Sequence, residues 1–278
     1  MKIKVYPFEK CVRQEFYKYL CMIFLFISIF VCFWEIPAEY KCESGFTFIT
    51  FTVFLYISTW LRSNFTKEVS LSINNSNVDI SFGDIFKDEE KEIIKVIAFN
   101  EYFDTKVDEK IIASNSLNGK FINRYNKQIK EIDQAISNDP WLKNRIVSKN
   151  ENRYNGKKVK FRLGTVVPYK DFLLLAFSHF DENNRAYLSM TDLLSCLIEL
   201  WNEIDRVYAG RTVILPLLGS GITRLKETGD VTEQDLLEIL LWSFKISRMK
   251  FCYPSRLKIL VIPEKSDKID LYKLKSMF

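Results

Sequence analysis

Residues that build metal sites and disulfide frameworks are scarce in this sequence. It contains one histidine, His179, and six cysteines, and the cysteines are scattered without the close pairing typical of zinc ligands. Two of them, Cys21 and Cys32, lie in apolar sequence. Free thiols of this kind are typical of a reducing compartment. We therefore expect neither a metal site nor a disulfide-stabilised fold.

The sequence also lacks a block of charge of one sign. Its 40 basic and 35 acidic residues give a formal net charge of +5, and both signs are interspersed. Proteins that bind nucleic acid usually concentrate lysine and arginine on one face or in one tail. We therefore expect no nucleic-acid partner.

Charged residues are absent from two stretches near the N-terminus, Tyr19–Trp34 and Gly45–Leu61. Each approaches the ~20 residues that cross a membrane as a helix. Aromatic residues stand at the ends of the stretches, where their rings would meet the lipid headgroups. The sequence therefore predicts two transmembrane helices, at about residues 18–36 and 45–61, within a membrane anchor of residues 1–65.

Basic residues flank this pair of stretches, whereas the loop between them carries Lys41 against three glutamates. By the positive-inside rule, this pattern predicts a multi-pass protein of the cell inner (plasma) membrane with both termini in the cytoplasm. A cleaved signal peptide is one alternative, but no small-residue cleavage site follows Trp34. A buried pair of core helices is another, but both stretches are apolar on all sides and not on one stripe.

Residues 66–278 predict a single cytoplasmic domain, because strand and helix patterns alternate along them. Alternating apolar residues predict a β-hairpin over 69–82, and apolar residues recur at helical spacing from Phe121 to Ile136. Further strands are predicted at 92–99, 171–178, 211–218 and 257–262, and further helices at 189–208, at 232–247 and at the C-terminus. Thr232 and Asp235 have the spacing of a capping box for the helix at 232–247. This alternation predicts a three-layer α/β fold, in which a sheet lies between helix layers.

The strongest local signal for ligand binding follows the strand predicted at 211–218. Residues 214–224 read ILPLLGSGITR, which combines a buried strand, a Gly-Ser-Gly turn and a basic side chain. Glycines let the backbone approach a ligand closely, and consecutive N–H groups in such a turn bind anions such as a diphosphate. An ordinary turn is the alternative. The candidate ligand-binding residues here are Leu218, Gly219, Ser220, Gly221, Ile222, Thr223 and Arg224.

Two further motifs precede this loop in a particular order. Residues 82–85 (FGDI) close the predicted hairpin, and the strand predicted at 92–99 runs into Asn100. This order resembles the macro domain family, which binds ADP-ribose, over about residues 69–265. The resemblance implies that Asp84, next to Ile85, recognises adenine and that the late loop surrounds the diphosphate. A turn or helix-capping role is the alternative for Asp84, and Asn100 either contacts a ribose or satisfies the loop backbone.

This sequence departs from that family in one respect: it lacks the glycine-rich first phosphate loop that follows the asparagine strand in the family. Residues 101–119 are instead long and polar, and only Asn118, Gly119 and Lys120 can substitute. Hydrolytic activity in the family depends on the missing loop, and His179 has no nucleophile near it in the sequence. We therefore expect no catalytic residues and no cofactor. An ADP-ribosyl hydrolase, or a membrane interaction protein that binds no nucleotide, is the alternative.

A two-helix anchor followed by a divergent macro-like domain is similar to the membrane-anchored effectors of Thoeris antiphage defence. This resemblance implies a TIR-domain partner that converts NAD into an ADP-ribose-derived signal. It also implies that the macro-like nucleotide-binding domain senses the signal, that the protein forms a homo-oligomer and that the output is disruption of the lipid bilayer.

Overall fold

The computed structural model describes residues 4–34, 36–87, 92–221, 223–226 and 231–278, with the backbone alone at 224–226. The chain divides into two compact units. One comprises Met1–Val69 and Ile269–Phe278, and the other comprises Ser70–Lys268. The sequence placed the last residues with the cytoplasmic domain, whereas this division places them with the N-terminal helices.

Two long helices dominate the first unit. They are α1 (Lys10–Phe33) and α2 (Lys41–Phe65), and they pack against each other. Both are long and apolar enough to cross a membrane. Large apolar side chains along both helices are exposed, among them Phe26 at 67% and Phe54 at 68%, which is unlike a buried pair of core helices. The predicted pair of apolar helices is confirmed. α1 begins earlier than the stretch predicted at 18–36 and ends three residues before it, whereas α2 extends beyond both ends of the stretch predicted at 45–61.

A small core ties the two ends of the chain to these helices. Val5, Cys11 and Val12 form a buried cluster with Tyr272 of the C-terminal helix (Leu271–Met277). Trp60 Nε1 of α2 donates a hydrogen bond to the Val5 carbonyl at 2.8 Å. The C-terminal helix belongs to the first unit, because Tyr272 joins this cluster and the helix packs against α1.

The second unit alternates strands and helices. In chain order the elements are β1 (Glu68–Ile73), β2 (Ser76–Phe82), β3 (Ile93–Asn100), α3 (Leu117–Arg124), α4 (Ile129–Asn138), β4 (Ile146–Lys149), β5 (Val159–Phe161), β6 (Val166–Tyr169), β7 (Phe172–Phe180), β8 (Ala186–Ser189), α5 (Met190–Val207), β9 (Thr212–Pro216), β10 (Arg224–Lys226), α6 (Glu233–Ser247) and β11 (Leu257–Val261). Short 3-10 helices lie at Ala38–Tyr40, Asn126–Gln128, Pro140–Arg145 and Pro263–Lys268.

Within the described residues, nine strands form one mixed sheet. Their order is β1-β2-β11-β9-β3-β7-β8-β10, with β6 paired to β7. Neighbouring strands from β2 through β11, β9 and β3 to β7 are parallel, so these strands end at the same edge of the sheet. Ligands of parallel α/β sheets bind at that edge.

The core fills both faces of the central strands. Ile97 and Phe99 of β3 pack in one cluster with Phe121 of α3 and Ile132 of α4. Elsewhere, Trp201 of α5 meets the ring of Phe244 of α6 edge-on, with ring centroids 5.0 Å apart. Burying one such side chain contributes about 1.5–3 kcal/mol. The predicted three-layer α/β fold is confirmed.

Local sequence signals account for several element ends. Asn74 and Asn75 both have positive φ, as the two central residues of a type I′ hairpin turn require. The capping box predicted from Thr232 and Asp235 is present at the start of α6. The apolar repeat from 121 to 136 spans two helices, because the 3-10 turn Asn126–Gln128 interrupts it.

Candidate ligand-binding site

A cavity of about 880 Å³ lies at the edge where the parallel strands end. Its walls come from the segments that follow β2, β3, β9 and β11, and from the end of β7. The volume falls within the range of about 300–1,000 Å³ typical of small-molecule sites. Of the residues predicted from sequence, those on the wall are Asp84, Ile85, Asn100, Asn118, Lys120, Leu218, Gly219, Ser220, Gly221 and Thr223.

The loop after β9 is a compact turn on this wall. Gly219 has a φ of +80°, in the left-handed region that favours glycine, so the turn depends on glycine at this position. Ser220 Oγ donates a hydrogen bond to the Leu217 carbonyl at 2.7 Å. A Cβ at Gly221 would meet no atom of the other described residues within 4 Å. The turn therefore leaves open space beside Gly221.

Two predicted residues of this loop are not fully described. Ile222 lies outside the described residues. Arg224 begins β10, but its side chain is outside the described part of the chain, so its predicted contact with a phosphate stays a prediction.

Asp84 forms the turn that follows β2 and also lies on the cavity wall. Its Oδ1 accepts a hydrogen bond from the Phe86 N–H at 3.0 Å, and its carbonyl accepts one from the Lys87 N–H at 3.0 Å. Ile85 beside it is buried in the core. The turn role weighed from sequence is present at Asp84, and the predicted contact with adenine stays a prediction.

Asn100 likewise serves the backbone while facing the cavity. Its Oδ1 accepts hydrogen bonds from the N–H groups of Tyr102 at 2.9 Å and Asp104 at 3.4 Å. The side chain is buried and lines the cavity. Asn100 therefore fixes the direction in which the chain leaves β3.

The segment that replaces a glycine-rich loop forms a large part of the wall, through Glu109–Ala113 and Asn115–Asn118. Asn118 is 7% exposed, and its Oδ1 has no hydrogen-bond partner among the described residues. A buried amide oxygen without a partner costs about 1–3 kcal/mol and is rare in native proteins. Asn118 is therefore a wall residue with an unsatisfied buried acceptor behind the cavity surface.

Gly119 is the one fully described candidate that lies off the wall. A Cβ at this position would lie 2.1 Å from the Ala113 carbonyl oxygen. Ser116 Oγ accepts a hydrogen bond from the Gly119 N–H at 2.9 Å and so caps α3. Gly119 permits α3 to pack against the loop that precedes it, and the ligand contact predicted for it is not part of this cavity.

Sequence reasoning missed the buried carboxylate of Glu101, directly after Asn100. Glu101 Oε2 lies 2.5 Å from His179 Nδ1 and 3.0 Å from Lys160 Nζ. Burial acts to raise the pKa of Glu101, but the hydrogen bonds from His179 and Lys160 outweigh it and hold that pKa below its usual value. His179 lines a second cavity, of about 390 Å³, instead of the first. The bonds of Glu101 with His179 and Lys160 therefore anchor the loop that follows β3.

Sequence reasoning also missed a buried ion pair that joins three loops near the cavity. Arg153 NH2 lies 2.7 Å from Asp104 Oδ2 and 2.8 Å from the Asn184 side-chain oxygen. The Arg153 guanidinium carbon lies 4.0 Å from the centre of the Tyr102 ring. Arg153 and Asp104 are 49 positions apart, so neighbouring sequence gives no sign of the pair.

Comparisons with known proteins identify the domain that holds the cavity. The family model described as Thoeris protein ThsA, Macro domain, matches residues 78–262. A Thoeris protein ThsA from Bacillus amyloliquefaciens (strain Y2) is 40% identical over 279 residues, which cover 98% of this chain and 93% of that protein. The chain belongs to the Thoeris ThsA family. The resemblances to macro domains and to Thoeris proteins drawn from the sequence are thereby confirmed.

Solved structures of macrodomains from Oceanobacillus iheyensis are also similar. A mutant of that macrodomain with ADPR covers 76% of this chain and 98% of its own, at 13% identity and a TM-score of 0.49. The same macrodomain with ADP covers 76% of this chain and 96% of its own, at 12% identity and a TM-score of 0.45.

Proposed function

We propose that this chain is a membrane-anchored antiphage defence effector whose macro domain binds an ADP-ribose-derived signal. The observation that carries the proposal is the cavity of about 880 Å³ inside the family-matched domain. Its wall joins a Gly-Ser-Gly turn suited to a diphosphate with Asn118 and Lys120 of the segment after β3. Membership of the Thoeris ThsA family supports a role in defence.

The proposed ligand pose follows the order of the wall segments. Adenine lies near Asp84 and Ile85, a ribose near Asn100, and the diphosphate at the turn of Gly219–Gly221. Lys120 and Asn118 stand where the family has its glycine-rich loop, and Lys120 supplies positive charge there. The signal is a derivative of ADP-ribose, which a TIR-domain partner makes from NAD. The chain binds the signal without converting it.

The proposed output is assembly and membrane disruption. In this proposal residues 1–65 are the anchor, the macro domain that follows it is cytoplasmic, and both termini lie on the cytoplasmic side of the inner membrane, with residues 269–278 packed in the same compact unit as the N-terminal helices. The exposed apolar side chains of α1 and α2 support contact with lipid. For binding to drive assembly, the ligand must favour the homo-oligomer over the resting state, because equal affinity for both states shifts nothing.

Calorimetry on the full-length chain in detergent micelles tests the binding step. ADP-ribose is expected to bind the wild-type chain, and Gly221→Leu is expected to weaken this binding at least tenfold, because the new side chain enters the open space beside the turn. Adenosine, which lacks the diphosphate, is expected to bind wild type and variant equally. If Gly221→Leu binds ADP-ribose as tightly as wild type does, the diphosphate does not bind at this loop and this part of the proposal is wrong.

Two further measurements separate the proposal from its alternatives. Mass spectrometry of ADP-ribose compounds and ADP-ribosylated protein after incubation with the chain is expected to show no product, and turnover would establish a hydrolase. Release of a dye from vesicles that contain the chain is expected only when the TIR-derived signal is added. If no ADP-ribose compound raises the melting temperature, the nucleotide-free interaction protein becomes the better account.

A further inference from the structure

The Gly-Ser-Gly turn is held from behind by a lysine that the sequence did not single out. Lys265 lies in the 3-10 helix Pro263–Lys268, which follows β11. Its ammonium group donates a hydrogen bond to the Ser220 carbonyl oxygen and lies 3.1 Å from Glu233 Oε1. The side chain of Lys265 is 19% exposed. One ammonium group thus connects the centre of the turn to the first residue of α6.

Glu233 fixes the position of that ammonium group. Lys268 Nζ lies 2.9 Å from the same carboxylate oxygen. The hydrogen bond from Lys268, assisted by the one from Lys265, lowers the pKa of Glu233 to about 2 despite partial burial. The carboxylate is therefore ionised at neutral pH, and it attracts both ammonium groups.

The remaining contacts of the turn are weaker restraints. Ser220 Oγ donates a hydrogen bond to the Leu217 carbonyl within the turn, and in the part of the chain that the structure describes a Cβ at Gly221 would meet no other residue within 4 Å. Because glycine backbones are unusually free, the direction of the turn's N–H groups depends on what holds its carbonyls. A charge-assisted bond to the Ser220 carbonyl is about twice as strong as a neutral one.

We propose that Lys265 is a positioning residue for diphosphate recognition: it holds the Ser220 carbonyl back, so that the N–H groups of the Gly219–Gly221 turn are presented to the ligand before it arrives. This inference rests on the proposed function of the cavity. Lys265 is not on the cavity wall, so it acts through the turn and not by direct contact. Preorganisation of this kind increases affinity by reducing the ordering cost of binding.

Lys268 provides a matched control. It bonds the same Glu233 oxygen and carries the same charge, but Lys265 alone of the two contacts the turn in the described structure. Loss of general positive charge near the site would therefore affect both lysine variants. Loss of the turn's support would affect only the Lys265 variant.

The experiment compares Lys265→Met, Lys268→Met and Lys265→Arg in the full-length chain in micelles, by calorimetry with ADP and with adenosine. Lys265→Met is expected to weaken ADP binding about tenfold, equivalent to about 1.4 kcal/mol, and to leave adenosine binding unchanged. Lys268→Met is expected to change the affinity for ADP and the affinity for adenosine by no more than about twofold each. Lys265→Arg is expected to recover part of the ADP affinity, because it keeps a donor and a charge.

The outcomes separate this inference from the function on which it rests. If wild type binds neither ADP nor adenosine, both proposals are overturned. If wild type binds ADP and Lys265→Met binds it equally well, only the role of Lys265 is overturned. The same holds if Lys265→Met loses affinity for ADP and for adenosine in equal proportion. Should Lys265→Met fail to fold, Glu233→Gln decides the question, because it removes the charge that anchors Lys265. We then expect a smaller but equally selective loss of ADP affinity, and unchanged ADP affinity would overturn the role of Lys265.

Discussion

Replacing Arg153 by methionine should destabilise the macro domain through the carboxylate that it leaves behind. Asp104 is 1% exposed and Arg153 8% exposed, so the pair is shielded from solvent. Methionine retains most of the apolar stem but none of the donors. Removing one partner of a buried pair typically costs about 3–5 kcal/mol, because the other charge stays buried without compensation.

The structure places this variant at the lower end of that range. The Lys157 backbone N–H also donates to Asp104 Oδ1 at 2.7 Å, and this bond survives the substitution. We therefore expect a loss of about 3 kcal/mol in the free energy of unfolding. In a domain of this size, 1 kcal/mol shifts Tm by about 2–4 °C, so Tm should fall by about 6–12 °C.

Thermal unfolding of the full-length chain in micelles, followed by tryptophan fluorescence, measures this loss. Lys158→Met is the matched control, because Lys158 belongs to the same loop but pairs with Glu151 across 3.4 Å with both side chains well exposed. Its expected cost is about 0–1 kcal/mol. A double-mutant cycle with Asp104→Leu should give a coupling energy of about 2 kcal/mol between positions 104 and 153. A coupling below about 0.5 kcal/mol, or equal costs for the 153 and 158 variants, would refute the reasoning.

Two further predictions concern Gly119 and Glu101. Gly119→Ala should lower the free energy of unfolding by about 1–3 kcal/mol, because its Cβ would overlap the Ala113 carbonyl. The control Gly221→Ala, whose Cβ has open space among the described residues, should change it by no more than about 0.5 kcal/mol in the same denaturant titration. Similar losses for both variants would contradict the packing role of Gly119. The lowered pKa of Glu101 means that its contribution to stability is present above the unfolded-state pKa, near 4.5, and is lost as pH falls below it. Denaturant midpoints measured from neutral to acidic pH should therefore fall more steeply below about pH 4.5 in wild type than in Glu101→Gln, and parallel curves would be inconsistent with this.

The sequence predicted the parts of the fold that depend on neighbouring residues. Buried runs such as those of β3 and β7 are read directly from apolar sequence, and the Thr232–Asp235 capping box involves residues three positions apart. The Gly-Ser-Gly turn was found in the same way. The pair of apolar helices followed from the absence of charge.

Residues that act over long sequence separations could not be found this way. Lys265 is 45 positions from the carbonyl that it binds, and Arg153 is 49 positions from Asp104. Gly119 fits a phosphate-loop pattern locally, but its close approach to Ala113 is visible only in three dimensions. Side-chain burial and distant pairing, not local propensity, decide such roles.

The packing of Tyr272 with Val5, Cys11 and Val12 makes the macro domain an insertion within the helical unit, entered after Val69 and left at Lys268. The chain therefore reaches the domain through two covalent connections and not one. A fragment cut only after α2 would keep the C-terminal helix and expose the apolar face of Tyr272. A fragment that ends near Lys268 would avoid this, and a bulky tag fused at Phe278 would be attached to the unit of the N-terminal helices instead of to the macro domain.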